Sequence, residues 1–150
     1  MKYYSLNNKT KTISFQEAVI QGLAPDNGLY FPETITPLST SFFDEIENLS
    51  NEEIAFEVIK QFVGNEIPDA ELKNIINETL CFDFPLVSVE ENIYSLELFH
   101  GPTMAFKDVG ARFMSRCLGY FNKNNDKQVT VLVATSGDTG GAVASGFLGV

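Results

Sequence analysis

Two short stretches hold the residue types that do chemistry. In HGPTMAFKDVGARF, His100 to Phe113, Lys107 follows Met104, Ala105 and Phe106 and opens a helical pattern just after a Gly-Pro turn. An apolar setting penalises the ammonium form of lysine, and the positive end of a helix penalises it again. A lysine that spends time as the free amine is a nucleophile for a carbonyl and can form a Schiff base. The competing reading is a lysine whose stem packs over Phe106 while its ammonium reaches water. Asp108 works against the amine if it faces Lys107, but consecutive residues on a helix project apart.

The second stretch is ATSGDTGGA, residues 134–142. Gly137, Gly140 and Gly141 allow a sharp turn, and a helix that follows aims free N–H groups at the loop. Ser136 and Thr139 add hydroxyl donors, which makes an anion cradle for a carboxylate or a phosphate. Asp138 suits a phosphate poorly unless its charge points away. The stretch is neither a Walker A loop nor a GxGxxG turn, and a tight connecting turn is the plainer reading. Arg112 and Arg116 stand one turn apart and read as a solvated face, with a contact from Arg112 to an anion or a neighbouring segment as the alternative.

The elements that must position these residues are punctuated clearly. Ser14 with Glu17 forms a capping box that starts a helix ending at Gly22. Asn27-Gly28 is a turn signal, and Leu29, Tyr30 and Phe31 form a short strand ended by Pro32. Ser50 with Glu53 caps a second helix, with Ile54, Ala55, Val58, Ile59 and Phe62 at helical spacing and Gly64 as its stop. IPDAELKNIINETL is a third helix with Leu72, Ile75, Ile76 and Leu80 on one face. A break in periodicity over Asp83 to Glu91 marks a boundary.

Beyond that boundary, NIYSLELF reads as a strand and residues 106–121 as a helix. KNNDK is a polar loop, and QVTVLVAT is a β-branched run of the kind covered on both faces in a parallel sheet. A helix of small residues follows, so the pattern is the start of an α/β unit. AVASGFLGV stops as an apolar helix without a cap, and two strands make a poor sheet. The chain is therefore expected to be the front part of a longer protein.

Composition excludes several classes. With 150 residues, 44% hydrophobic and 20% charged, the chain is globular and not disordered. A net charge of −10 repels nucleic acid and anionic membranes. No apolar run reaches the roughly 20 residues of a membrane span, and the polar N-terminus lacks a signal core, so a cytoplasmic location is expected. Cys81 and Cys117 have no CxxC spacing and are expected as two buried thiols. His100 is the only histidine, which removes multi-histidine metal sites, and no metal is expected.

LELFHGPTMAFKDVGARF and VATSGDTGGAVA, in that order, resemble the threonine synthases, pyridoxal-phosphate enzymes of the tryptophan-synthase-β (fold type II) class. GLAPDNGLYFP resembles the N-terminal signature of the same family, so the likeness runs along the whole chain. It implies a small helical/β N-terminal domain over residues 1–90. Residues 91–150 would then be the first βαβα part of the parallel-sheet, pyridoxal-phosphate-binding domain, incomplete here. The resemblance also implies that Lys107 forms the Schiff base with pyridoxal 5'-phosphate and that Phe106 packs near that cofactor. Ser136, Gly137, Asp138, Thr139 and Gly140 match the loop that binds the substrate α-carboxylate. Many relatives in the class carry Asn where this chain has Asp138, and the Asp form resembles threonine synthases in particular.

The implied reaction is a carbon–oxygen lyase reaction on a phosphate ester: O-phospho-L-homoserine and water become L-threonine and phosphate. The implied partner is that small molecule, with no nucleic acid and no membrane. In the family, the cofactor's phosphate loop and the partner of its pyridine nitrogen lie further along the chain. The remainder of the catalytic domain is thus missing, and these 150 residues alone are expected to be inactive. A related phospho-lyase that releases a keto acid and a non-catalytic anion-binding module are the competing readings.

Overall fold

The computed structural model describes residues 1–125 and 129–150. Asp126 and Lys127, in the expected polar loop, and Gln128, at the head of the expected strand, lie outside the described residues. The chain forms two compact units, Met1–Ile76 and Asn77–Val150.

In the first unit, Lys2–Ser5 (β1) is the middle strand of a three-stranded antiparallel sheet, between Thr12–Ser14 (β2) and Tyr30–Pro32 (β3). The two-residue period of a strand turns Tyr3 and Ser5 inward and Tyr4 outward. Tyr3 packs its ring 6.0 Å from that of Phe15 and donates its hydroxyl to the Phe62 carbonyl at 2.7 Å. Pro32 stands inside β3 and not after it as expected. Because β3 is an edge strand, the missing N–H of Pro32 is tolerated there.

Phe15–Gln21 (α1) starts on the expected capping box, with the Ser14 hydroxyl accepting from the Glu17 amide at 3.1 Å and the Glu17 carboxylate accepting from the Ser14 amide at 2.9 Å. Its first two amides, those of Phe15 and Gln16, donate to the two carboxylate oxygens of Glu66 at 3.0 and 2.8 Å. A short helix, Thr40–Glu45 (α2), capped by Ser39, has no counterpart in the sequence reading. Asn51–Val63 (α3) carries the second capping box and stops at Gly64, whose φ of 67° favours glycine. Its buried positions are Phe56 and Val63, whereas Ile54, Ile59 and Phe62 are half-buried and Val58 is exposed. On Asp69–Thr79 (α4), Leu72, Ile75 and Ile76 of the expected face join Tyr3, Ile13, Phe15 and Ile67 in the core, whereas Leu80 follows the helix and is half-buried.

The second unit opens on an antiparallel hairpin of Leu86–Glu90 (β4) and Ile93–Leu96 (β5), turned by Asn92 at φ 61°. Lys107–Asn122 (α5) and Asp138–Phe147 (α6) follow and pack against each other. A Cβ at Gly146 would lie 3.0 Å from the Ala111 carbonyl oxygen, so the absence of a side chain there allows the close approach of the two helices.

The strand expected over QVTVLVAT does not form. Val129–Ala134 carry no strand, their side chains are exposed, and Leu132 is 90% exposed. A β-branched run of this kind encodes burial on both faces, which takes a hydrogen-bonded neighbour on each side, and no strand among the described residues pairs with it. Both sheets are antiparallel among the described residues. The architecture is mixed α/β with small sheets, and no helix of the described residues is long and apolar enough to cross a membrane.

Candidate functional site

The segment between β5 and α5 is a tight reversal. The Met104 amide donates to the Gly101 carbonyl at 3.0 Å and the Asp108 amide to that of Ala105 at 3.0 Å, with Met104 in the left-handed region at φ 55°. Asp108 is 1% exposed. One of its oxygens accepts from the Thr103 amide at 2.9 Å and the other from the Thr103 hydroxyl at 2.6 Å. Asp108 therefore turns away from Lys107, as helical geometry requires, and faces back into the turn.

Lys107 is the first residue of α5. Its Nζ lies 4.5 Å from the centroid of the Phe106 ring, a distance at which the ring's negative face attracts an ammonium. The segment does not enclose the lysine as its apolar composition suggests: Phe106 is 62% exposed, Met104 is exposed, and Lys107 itself is half-buried. The aromatic and methionine side chains turn outward because the interior of the turn is taken by Gly101 and Asp108. A Cβ at Gly101 would come within 2.5 Å of the Asp108 carboxylate and 2.9 Å of the Phe82 ring.

At the start of α6, Gly137 adopts φ 142°, a conformation that favours glycine. The hydroxyl of Thr135 accepts from the amides of Gly137 at 3.2 Å and Gly140 at 2.9 Å. The Gly141 amide makes the first helical bond, to the Gly137 carbonyl at 2.9 Å. Among the described residues this leaves the amides of Asp138 and Thr139 as the open donors of the helix end. Sequence reading assigned the hydroxyl role to Ser136 and Thr139 and missed Thr135, which stands on the near side of the glycine.

The two helix starts meet in one feature. Phe106, Lys107, Gly110, Ala111, Met114, Thr139 and Val143 line a concavity of about 370 Å³ between α5 and α6. Of the residues expected to bind substrate, Thr139 lines it; Ser136, Gly137, Asp138 and Gly140 belong to the adjoining loop and first turn. An amine, a hydroxyl and a bed of apolar groups can seat a flat, mostly apolar carbonyl compound carrying an acidic group.

The middle of α5 and the last turn of α6 are tied by a polar clamp. The Arg116 guanidinium donates to the Gly146 carbonyl at 2.6 Å, to the Ser115 hydroxyl at 2.9 Å and to the Glu78 carboxylate at 3.1 Å. Arg112 donates twice to the Glu78 carbonyl, at 2.6 and 3.2 Å, and to the Cys81 sulfur at 3.2 Å. The two arginines thus serve neighbouring carbonyls and are not a solvated face. The last turn of α6, expected to lack partners, has them for Gly146.

Cys117 is buried, and burial pushes its thiol up from 9.0 to about 12, so it is a packing residue. Cys81 is exposed, against expectation, because it follows the last turn of α4 and faces Arg112. His100 lies with Nε2 2.7 Å from the Glu97 carboxylate. No cluster of metal-ligating side chains occurs among the described residues.

Residues 2–80 match the family model described as threonine synthase N terminus. The chain belongs to that family. A threonine synthase of Escherichia coli strain K12 is 42% identical over 150 residues, taking in 100% of this chain and 35% of that protein. A crystal structure of threonine synthase from Escherichia coli aligns with a TM-score of 0.92 at 42% identity, over 99% of this chain and 34% of that one. A PLP-bound threonine synthase from Brucella melitensis, solved by X-ray crystallography, aligns with a TM-score of 0.91 at 37% identity, over 98% of this chain and 33% of that one. The chain spans about a third of the length of these relatives.

Proposed function

We propose that this chain is the front part of a threonine synthase of fold type II, with residues 1–90 as its N-terminal domain and 91–150 as the first part of its catalytic domain. The whole enzyme converts O-phospho-L-homoserine and water to L-threonine and phosphate with pyridoxal 5'-phosphate. The observation that carries this reading is the concavity shared by Lys107 and Thr139. It brings a primary amine and the open amide end of a helix to one place, which an amino-acid substrate and a carbonyl cofactor both require. The naming of relatives at about 40% identity as threonine synthases supports the same reading.

The residues fit the reactive end of such a cofactor. Lys107 is the residue that would hold it, with Phe106 beside the amine and the apolar wall of Gly110, Ala111 and Met114 facing a flat ring. When bound, pyridoxal phosphate supplies an electron sink for carbanions at the substrate carbons. The chain's own residues do the rest. Ser136, Gly137, Asp138, Thr139 and Gly140 bind the substrate carboxylate, with the open amides of Asp138 and Thr139 as donors. Lys107 Nζ takes and returns protons at the substrate carbons as general base and acid.

The test is to supply the whole protein with cofactor and O-phospho-L-homoserine and to measure products. Threonine and phosphate in equal amounts are expected, and Lys107→Ala lowers their formation by about a hundredfold or more. A keto acid in place of threonine, or full activity in the lysine variant, overturns the proposal.

A further inference from the structure

Asp108 is a carboxyl group buried at the edge of the site, and the reaction as described above makes no use of it. Among the described residues its donors are neutral: the amide and hydroxyl of Thr103. Among the described residues it has no ion-pair partner. Burying a carboxyl group on neutral donors alone is a costly way to fill a turn, and the chain does so immediately after Lys107.

The geometry says what the group holds. The two bonds from Thr103 join the middle of the turn to the first turn of α5. Gly101 is pressed against the same carboxylate, where a Cβ would lie 2.5 Å from Oδ2. Residues 101–107 are thus closed as a loop whose latch is Asp108. The first residue of α5 takes its direction from that latch, because Lys107 has no side-chain cap to set it: the N-cap position is Phe106, which makes no capping hydrogen bond.

We infer that Asp108 is the positioning residue of Lys107, acting through Thr103 to hold the amine on the concavity it shares with Thr139. The inference rests on the reading of Lys107 as the lysine that holds the cofactor. It requires no contact between Asp108 and any ligand. The same carboxyl that caps the turn fixes where the nucleophile stands.

The test uses the whole protein with Thr103→Val, Thr103→Ser and Asp108→Asn. Valine keeps the shape of threonine and removes the hydroxyl donor, whereas serine keeps the donor. Pyridoxal phosphate is added, fixed to lysine with borohydride, and the labelled lysine is identified by peptide mapping, at a temperature where each variant is folded by circular dichroism. The wild type and Thr103→Ser are expected to label at Lys107 at similar rates. Thr103→Val and Asp108→Asn are expected to label it roughly tenfold more slowly, the order of loss when a reacting group is misplaced by a fraction of an ångström. Labelling of Lys107 at the wild-type rate in Thr103→Val overturns the inference, and it does so even if Asp108→Asn fails to fold. A wild type that labels elsewhere overturns the reading of Lys107 itself, a different outcome seen before any variant is made.

Discussion

The hydroxyl of Ser115 lies 2.7 Å from the carbonyl oxygen of Gly146, in a fully buried contact between α5 and α6. The same hydroxyl stands 2.9 Å from the Arg112 carbonyl, so its single proton serves one acceptor or the other. Arg116 donates to both the hydroxyl and the Gly146 carbonyl. The carbonyl therefore lies within reach of two donors, one neutral and one charged, and this redundancy has a measurable consequence.

Ser115→Ala is expected to cost about 1 kcal/mol and Arg116→Ala about 2 kcal/mol, the ordinary worth of a neutral and a charged hydrogen bond. The double variant exceeds their sum, because only then is the buried carbonyl left without a donor. Denaturant unfolding of the four proteins of this cycle checks it. Simple additivity would show that the two donors act independently.

Gly146→Ala probes the same contact from the packing side. The new Cβ would meet the Ala111 carbonyl oxygen at 3.0 Å and carbon at 3.1 Å, both backbone atoms that cannot swing away. A loss of about 1–3 kcal/mol is expected, read as a lowered melting temperature. Gly110→Ala on the opposite helix meets nothing within 4 Å and is expected to be neutral or slightly stabilising.

The N-terminus of α1 separates what sequence reveals from what it hides. The Ser14 and Glu17 capping box is local, three residues apart, and legible at once. Glu66, which takes the other two amides of that helix end, is about fifty residues away, and no local pattern announces it. Lys107 and the glycine-rich loop stand out in the sequence as candidates for the same reason as the box: type and spacing within one short segment. Thr135 and Asp108 do not, since their roles depend on a backbone reversal that only coordinates display. The run QVTVLVAT reads by composition as a covered strand, and composition does not say whether partners are present. Glu66→Ala is expected to cost about 1–2 kcal/mol, with Glu66→Gln intermediate because one oxygen remains as acceptor. Thermal unfolding decides it.

Stability should fall at both ends of the pH range, for opposite reasons. The Ser5 hydroxyl and the Gly28 amide hold the Asp26 carboxylate below its usual 3.8, and the Ser14 and Ser50 capping bonds lower Glu17 and Glu53 below 4.5. Their contribution is present above those ordinary values and is lost as pH falls through the lower folded ones. Burial, then the Glu66 charge, pushes Tyr3 from 10.0 to about 12, and Cys117 rises from 9.0 to about 12 by burial. The unfolded chain releases these protons first, so stability declines from about pH 9 upward and continues to about pH 12. Unfolding free energies measured from pH 7 to 11 should drop less in Cys117→Ala than in the wild type. An identical slope would sink the assignment.

Thr135 and Thr139 flank the same glycine turn and should separate stability from binding. Thr135 accepts two amides at the head of α6, so Thr135→Ala removes a helix cap and is expected to cost about 1 kcal/mol. It also frees the Gly140 amide, which leaves the anion-binding capacity of the helix end intact or raised. Thr139 accepts none of these amides and lines the concavity with Lys107. In the whole enzyme, Thr139→Ala is expected to raise the KM for O-phospho-L-homoserine about tenfold with little change in kcat, the pattern of lost ground-state binding. Its melting temperature stays near the wild-type value, whereas Thr135→Ala lowers the melting temperature and leaves KM within about twofold. Steady-state kinetics beside a thermal scan of both variants makes the comparison, and a KM defect confined to Thr135→Ala would move the proposed carboxylate site from Thr139 to the near side of Gly137.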